Sequence, residues 1–158
     1  MSTSEKHPAA VAHAAPAAAA ARPHSGPVEW HHLVRWLHAD GVISATEAQR
    51  TTARCSQAES AQNALVRLAS VAMERLSDGK AIDIEMLTEY LARRAGLEYL
   101  RIDPLRVDVG RVADTMSAVY AERHKVLPVQ VSAKEVVVAT AEPFITDWLA
   151  EVERQARR

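Results

Sequence analysis

Val126-Leu127-Pro128-Val129-Gln130-Val131 and Val136-Val137-Val138-Ala139-Thr140, separated by the polar residues Ser132-Ala133-Lys134-Glu135, decide the fold of this chain. Both runs are rich in β-branched residues, and a short polar connection between two such runs predicts an antiparallel hairpin. On the C-terminal side, Glu142-Pro143 stops the second run, and Ile145, Trp148, Leu149 and Val152 then recur at helical spacing as a closing helix. On the N-terminal side, Val109, Val112, Met116, Val119 and Tyr120 predict a single helix. Before it, residues 97–102 form a short, partly alternating run bounded by Gly96 and Asp103-Pro104, which reads as a strand. The second half of the chain is therefore a small α/β unit.

The first half carries the helical period. Trp30, Leu33, Val34 and Leu37 fall at i, i+3, i+4 and i+7, and Gly41 follows as a C-terminal cap. Ser44 and Glu47 have the spacing of a capping box and start a second helix. Leu65, Leu68, Ala72 and Leu76 extend the pattern over residues 61–76, and Ser77-Asp78-Gly79 closes it in a turn. Asp83 caps a further helix with Leu87, Leu91 and Tyr90 on its buried stripe, ending at Gly96. Residues 1–27 hold no leucine or aromatic side chain that could offset the entropy of ordering them, and read as a disordered tail. The expected class is α+β: a helical subdomain over 28–79, then over 80–158 a small α/β domain with its hairpin packed against helices.

Composition narrows the function. Lys plus Arg number 19 against 20 for Asp plus Glu, a formal net charge of -1, so no basic field exists to hold a nucleic acid backbone. The single cysteine, Cys55, has no internal partner, which suits a reducing cytoplasm. The alanine-rich residues 9–21 are broken by His13 and Pro16 and lack a leucine-type core, so neither a signal peptide nor a membrane span is expected. Gly79-Lys80 is not a P-loop, because Glu74 stands where the motif needs its first glycine and Ala81 replaces the Ser or Thr. No GxSxG, HExxH or GxGxxG pattern occurs, and no catalytic residue or cofactor is expected. His31 and His38 lie two turns apart, yet no carboxylate or cysteine at ligand spacing completes a shell, so no metal is expected. Arg93-Arg94 reads as a cationic complement to a helix C-terminus.

The order of three segments is more specific. Leu87-Thr88-Glu89-Tyr90-Leu91-Ala92-Arg93-Arg94-Ala95-Gly96-Leu97 is followed by Tyr120-Ala121-Glu122-Arg123-His124-Lys125-Val126-Leu127-Pro128-Val129. Val136-Val137-Val138-Ala139-Thr140-Ala141-Glu142-Pro143-Phe144 closes the series. This arrangement resembles the N-terminal domain of the type II secretion and type IV pilus assembly ATPases. The resemblance implies a non-catalytic docking or regulatory domain in the cytoplasm, peripheral to the inner membrane, which tethers a motor to the cytoplasmic domain of an inner-membrane platform protein. It also implies ATPase domains after Arg158, so the expectation is a chain cut before its motor, with a separate small gene product as the alternative.

Some members of that family bind cyclic di-GMP through a motif close to RLGxxLxxxGxLxxxxLxxxLxxQ, and this is the alternative function. The matching stretch runs through His32, Leu33, Val34, Leu37, Gly41, Ile43, Ala48, Thr52 and Cys55. His32 replaces the ligand-facing arginine, Val34 the close-approach glycine and Cys55 the final glutamine, which implies the scaffold without the nucleotide. His32, Leu33, Arg35, Trp36, Gly41 and Ile43 are the expected partner surface or vestigial nucleotide surface. On the helical wheel Trp30 belongs with the core stripe, which leaves Trp36 as the partly exposed contact residue; packing of Trp36 in a seam between the two units is the competing reading.

Overall fold

The computed structural model describes residues 9–12, 24–57 and 59–156. They fall into two compact units, one within 28–91 and a second made of residues 9–12, 24–27 and 92–156. The class is α+β. The division lies inside a helix rather than at Gly79, because residues 80–82 are tied back to the helical unit. Arg75 N–H donates to the Lys80 carbonyl at 2.9 Å, Ile82 N–H donates to the Met73 carbonyl at 2.8 Å, and Glu74 pairs with Ala81.

In the helical unit, α1 (Trp30–Ala39) and α2 (Ala45–Ser56) enclose a tight turn. Gly41 N–H donates to the His38 carbonyl and Val42 N–H to the Leu37 carbonyl, at 3.0 and 2.8 Å, while Gly41 takes a φ of 70°. This is the helix-ending double bond that a left-handed residue permits. Ser44 Oγ accepts the Glu47 N–H at 3.1 Å, as expected. The other half of the box is spent elsewhere, since Glu47 Oε1 accepts from the Arg50 guanidinium at 2.6 Å and from Glu74 N–H at 3.3 Å.

Helix α3 (Ala64–Ala69) is shorter than the apolar period over 61–76 suggests. Asn63 starts it, accepting the Leu65 N–H at 2.9 Å, and Ala72 stands at a φ of 53°, which no right-handed helix can contain. Leu76 therefore leaves the core stripe and is 60% exposed. Asp83 Oδ1 accepts the Met86 N–H at 2.8 Å and opens α4 (Ile84–Ala95), with Leu87 and Leu91 buried.

In the second unit, β1 (Ala9–Ala12), β2 (Glu98–Leu100), β3 (Val126–Val131) and β4 (Val136–Thr140) form a sheet of order β2-β1-β4-β3 with every neighbour antiparallel. The expected hairpin is β3–β4, with a bulge between Pro128 and Gln130, where proline lacks a ladder donor. The expected tail thus contributes a strand at Ala9–Ala12; of its other residues, 1–8 and 13–23 lie outside the described residues. The single helix expected before the hairpin is two, α5 (Val109–Thr115) and α6 (Ala118–His124). Met116 adopts an extended backbone and Ser117 recaps the chain by accepting the Tyr120 N–H at 3.3 Å. Helix α7 (Leu149–Ala156) closes the unit.

Met116, Val126, Val138, Trp148 and Val152 pack as one buried cluster, with Tyr120, Val136 and Leu149 at its margin. Trp148 is 2% exposed and its Nε1–H donates to the Ile145 carbonyl at 2.8 Å. Replacing it with alanine opens a cavity under the hairpin, so Trp148→Ala should cost about 3–5 kcal/mol in urea unfolding. A loss under about 1 kcal/mol would show that this cluster does not hold the unit together.

Candidate docking surface and the helix-turn-helix frame

The frame expected from residues 32–55 exists as α1, the Gly41 turn and α2. Its proposed surface residues do not share one face. Arg35 and Gly41 are exposed and His32 is half-buried, but Leu33 and Ile43 are buried in the unit, as a core reading of these leucine-type positions would have it.

The tryptophans exchange the places expected of them. Trp36 is only 6% exposed, whereas Trp30 is half-buried. Trp30 is the first residue of α1, so no preceding turn covers it although the wheel angle points to the core. Trp36 sits mid-helix among Leu33 and Leu37, and the His32 ring stacks near it at 5.8 Å between centroids. Trp36 is therefore not the partly exposed contact residue.

A contact that no short sequence spacing reveals closes the base of the frame. The Arg67 guanidinium from α3 lies 5.6 Å from the Trp30 ring centroid, in cation–π range, and also donates to the Cys55 carbonyl at the end of α2. One side chain thereby joins the first residue of α1 to the last turn of α2. Cys55, where the family motif ends in glutamine, is buried; burial raises its thiol pKa above the usual value, with Arg67 opposing the shift. The imidazoles of His31 and His32 stand 4.2 Å apart, and His31 Nδ1 is 3.3 Å from a Glu29 carboxylate oxygen. Among the described residues no group of three or more His, Cys, Asp or Glu side chains could hold a metal ion.

The second unit carries a groove of about 530 Å³ on its sheet. Tyr99 and Leu100 of β2 line one side, Val129, Gln130 and Val137 of the hairpin the other, and Arg106 stands at the rim. Beside it the 3-10 turn Pro104–Arg106 holds Leu105 at 95% exposure, and Val109 at the start of α5 is 71% exposed. Leu105 belongs to no helical or alternating period, since a three-residue turn has no inner face, whereas Val109, placed on a helical stripe by its spacing, stands in solvent. The charge on this edge is mixed: Asp103 and Asp108 cap the N-termini beside Arg106 and Arg111.

These features can be set beside known proteins. Residues 95–158 match the MshEN domain. That stretch runs from the end of α4 through the whole α5–α7 and hairpin arrangement. The chain is also similar to the type IV pilus assembly ATPase TfpB of Acinetobacter baylyi, with 38% identity over 74 residues, covering 47% of this chain and 13% of that protein. The chain thus matches only a small part of the length of this curated relative. No solved structure matches it. The resemblance to the N-terminal domain of secretion and pilus ATPases is shown by these two matches, and among the described residues no helix is long and apolar enough to cross a membrane.

Two measurements test this site. Trp36→Ala should lower the melting temperature by several degrees, as loss of a buried indole worth about 3 kcal/mol implies; an unchanged melting temperature would return Trp36 to the surface. The Cys55 thiol should react with iodoacetamide at pH 8 about tenfold or more slowly than a free thiol, since both burial and a raised pKa suppress the thiolate. The native state keeps that proton longer than the unfolded chain does. Stability should therefore fall as pH rises above the usual thiol pKa, and a rise there would contradict the assignment.

Proposed function

We propose that this chain is a non-catalytic docking and regulatory domain of a type II secretion or type IV pilus assembly ATPase. It binds the cytoplasmic domain of an inner-membrane platform protein and so tethers the motor. The observation that carries the reading is the MshEN match over residues 95–158, joined to a sequence whose Gly79-Lys80-Ala81 lacks the hydroxyl of a P-loop. Two features of the second unit support it. Its core is closed by Trp148, and it still presents Leu105 and Val109 to solvent beside a groove whose lining carries charges of both signs, an apolar contact area with a polar border of the kind that marks an interaction site.

The cyclic di-GMP alternative finds less support. A nucleotide phosphate or guanine edge calls for a guanidinium on the α1 face, where this chain has His32, and Leu33 and Ile43 are committed to packing.

Isothermal titration of the purified chain with the cytoplasmic domain of its platform protein should give saturable binding, weakened about tenfold or more by Leu105→Asp with no change in melting temperature. Cyclic di-GMP at about 100 μM should give no heat, against the micromolar affinity a working site would show. Platform binding that is absent, together with tight cyclic di-GMP binding, would reverse the assignment. Magnesium-dependent ATP hydrolysis abolished by a point mutation in this chain would refute the non-catalytic reading.

A further inference from the structure

Helix α1 is started by a histidine. The Glu29 N–H donates to His32 Nδ1 at 3.1 Å, so the third helical residue reaches back to the N-cap backbone, the place that glutamate or glutamine takes in a capping box. A backbone N–H can only donate, and an imidazole nitrogen accepts only while it carries no proton. The bond therefore requires a bare Nδ1, with the single ring proton on Nε2. The surroundings weigh against a second proton. The His31 ring stands 4.2 Å from that of His32, Arg35 is exposed one turn on, and the first turn of a helix carries partial positive charge. The Trp36 ring stacks near His32 at 5.8 Å between centroids. Glu29 is the opposing charge, and its carboxylate already lies 3.3 Å from His31 Nδ1. On the two helices packed against α1, the charged side chains have other partners: Glu47 holds Arg50 and the Glu74 N–H, Arg54 donates to the Val71 carbonyl, and Arg67 reaches Trp30 and the Cys55 carbonyl.

We propose that the first turn of α1 is a pH-operated latch, closed while His32 is neutral and released when its imidazole takes a proton. A protonated Nδ1 sets one hydrogen against another, so the ring turns away and leaves the Glu29 N–H to water. The same proton puts a full charge at the positive end of the helix dipole, beside His31. What loosens is the turn that begins with Trp30. Arg67 lies over that indole and also holds the last turn of α2, so the joint between the two helices opens with the cap. The direction follows from which form is bonded. The cap contributes above about pH 6.5, the ordinary histidine range, and is lost as pH falls below it. Glutamate or glutamine in place of His32 would accept the same N–H without titrating in this range, so the histidine makes the cap conditional. The latch stands on α1 alone and is independent of the docking reading.

NMR of the isotopically labelled full chain, titrated from about pH 8 to about pH 5, tests the latch. At the upper end the His32 ring nitrogens should report the Nε2–H tautomer, with Nδ1 unprotonated. As His32 charges, hydrogen-exchange protection of the Glu29 amide, corrected for the intrinsic pH dependence of exchange, should fall about fivefold or more, as loss of a helix cap implies. The Trp30 indole N–H resonance should shift along the same curve. His32→Gln should hold protection and the Trp30 resonance constant across the range, whereas His31→Gln should keep the wild-type pH dependence. The wild-type titration needs no variant to fold. A proton on Nδ1 at the upper end, protection that survives the charging of His32, or a His32→Gln chain that loosens as the wild type does would each overturn the latch. Loss at the Glu29 amide with a Trp30 resonance that does not follow would overturn it as well, by confining the change to the cap.

Discussion

The second unit depends on one indole that has to be buried and hydrogen-bonded in the same place. Trp148 lies against Val126 and Val138, one from each strand of the hairpin, and against Met116 and Val152 from the segments on either side. A buried indole N–H without an acceptor would cancel part of the gain from its burial. Glu142-Pro143 and the turn after it bring the Ile145 carbonyl within 2.8 Å of Nε1, so the requirement is met by the backbone three residues upstream. The hairpin, the α5–α6 break and the start of α7 are all positioned by that ring.

The α5–α6 break also shows what a periodic reading of the sequence misses. Val109, Val112, Met116, Val119 and Tyr120 have the spacing of one amphipathic helix, and the hairpin and α7 were legible in the same way. Yet Val109 and Val119 are exposed, because a continuous helix would carry Met116 past the cluster that buries it. Ser117 resolves the conflict by capping a new helix. The helical unit repeats this lesson at Ala72, whose left-handed backbone, costing about 1–2 kcal/mol relative to a glycine-like site, turns the chain so that Met73 can be fully buried. Caps at Ser44, Asp83, Gly41 and Gly96 were readable because each rests on a local hydrogen bond between near neighbours. The shortened α3 was not, since its end is set by where Met73 and Ile82 must meet.

The candidate site was legible in its frame and not in its surface. The helix-turn-helix emerged from glycine and serine caps, but the exchange of Trp30 and Trp36 came from position along the helix, which a wheel projection discards. Arg67 was invisible for another reason: its two partners, Trp30 and Cys55, lie far from it in sequence. The strand from residues 9–12 was hidden because alanine carries almost no β signal, so only the pairing groups offered by β2 and β4 reveal it.

The two units also differ in the surface each leaves in solvent. In the helical unit the apolar residues of the frame, Leu33, Trp36, Leu37 and Ile43, are all withdrawn from solvent, and Arg67 ties its ends. Such a surface offers a partner mainly exposed polar side chains, whose pairing contributes little. The second unit keeps apolar side chains outside its core and holds its sheet together with a strand of low intrinsic preference. Burial of exposed leucine and valine side chains contributes more to association than solvated charges do, so the apolar contact area lies in the second unit, at Leu105 and Val109.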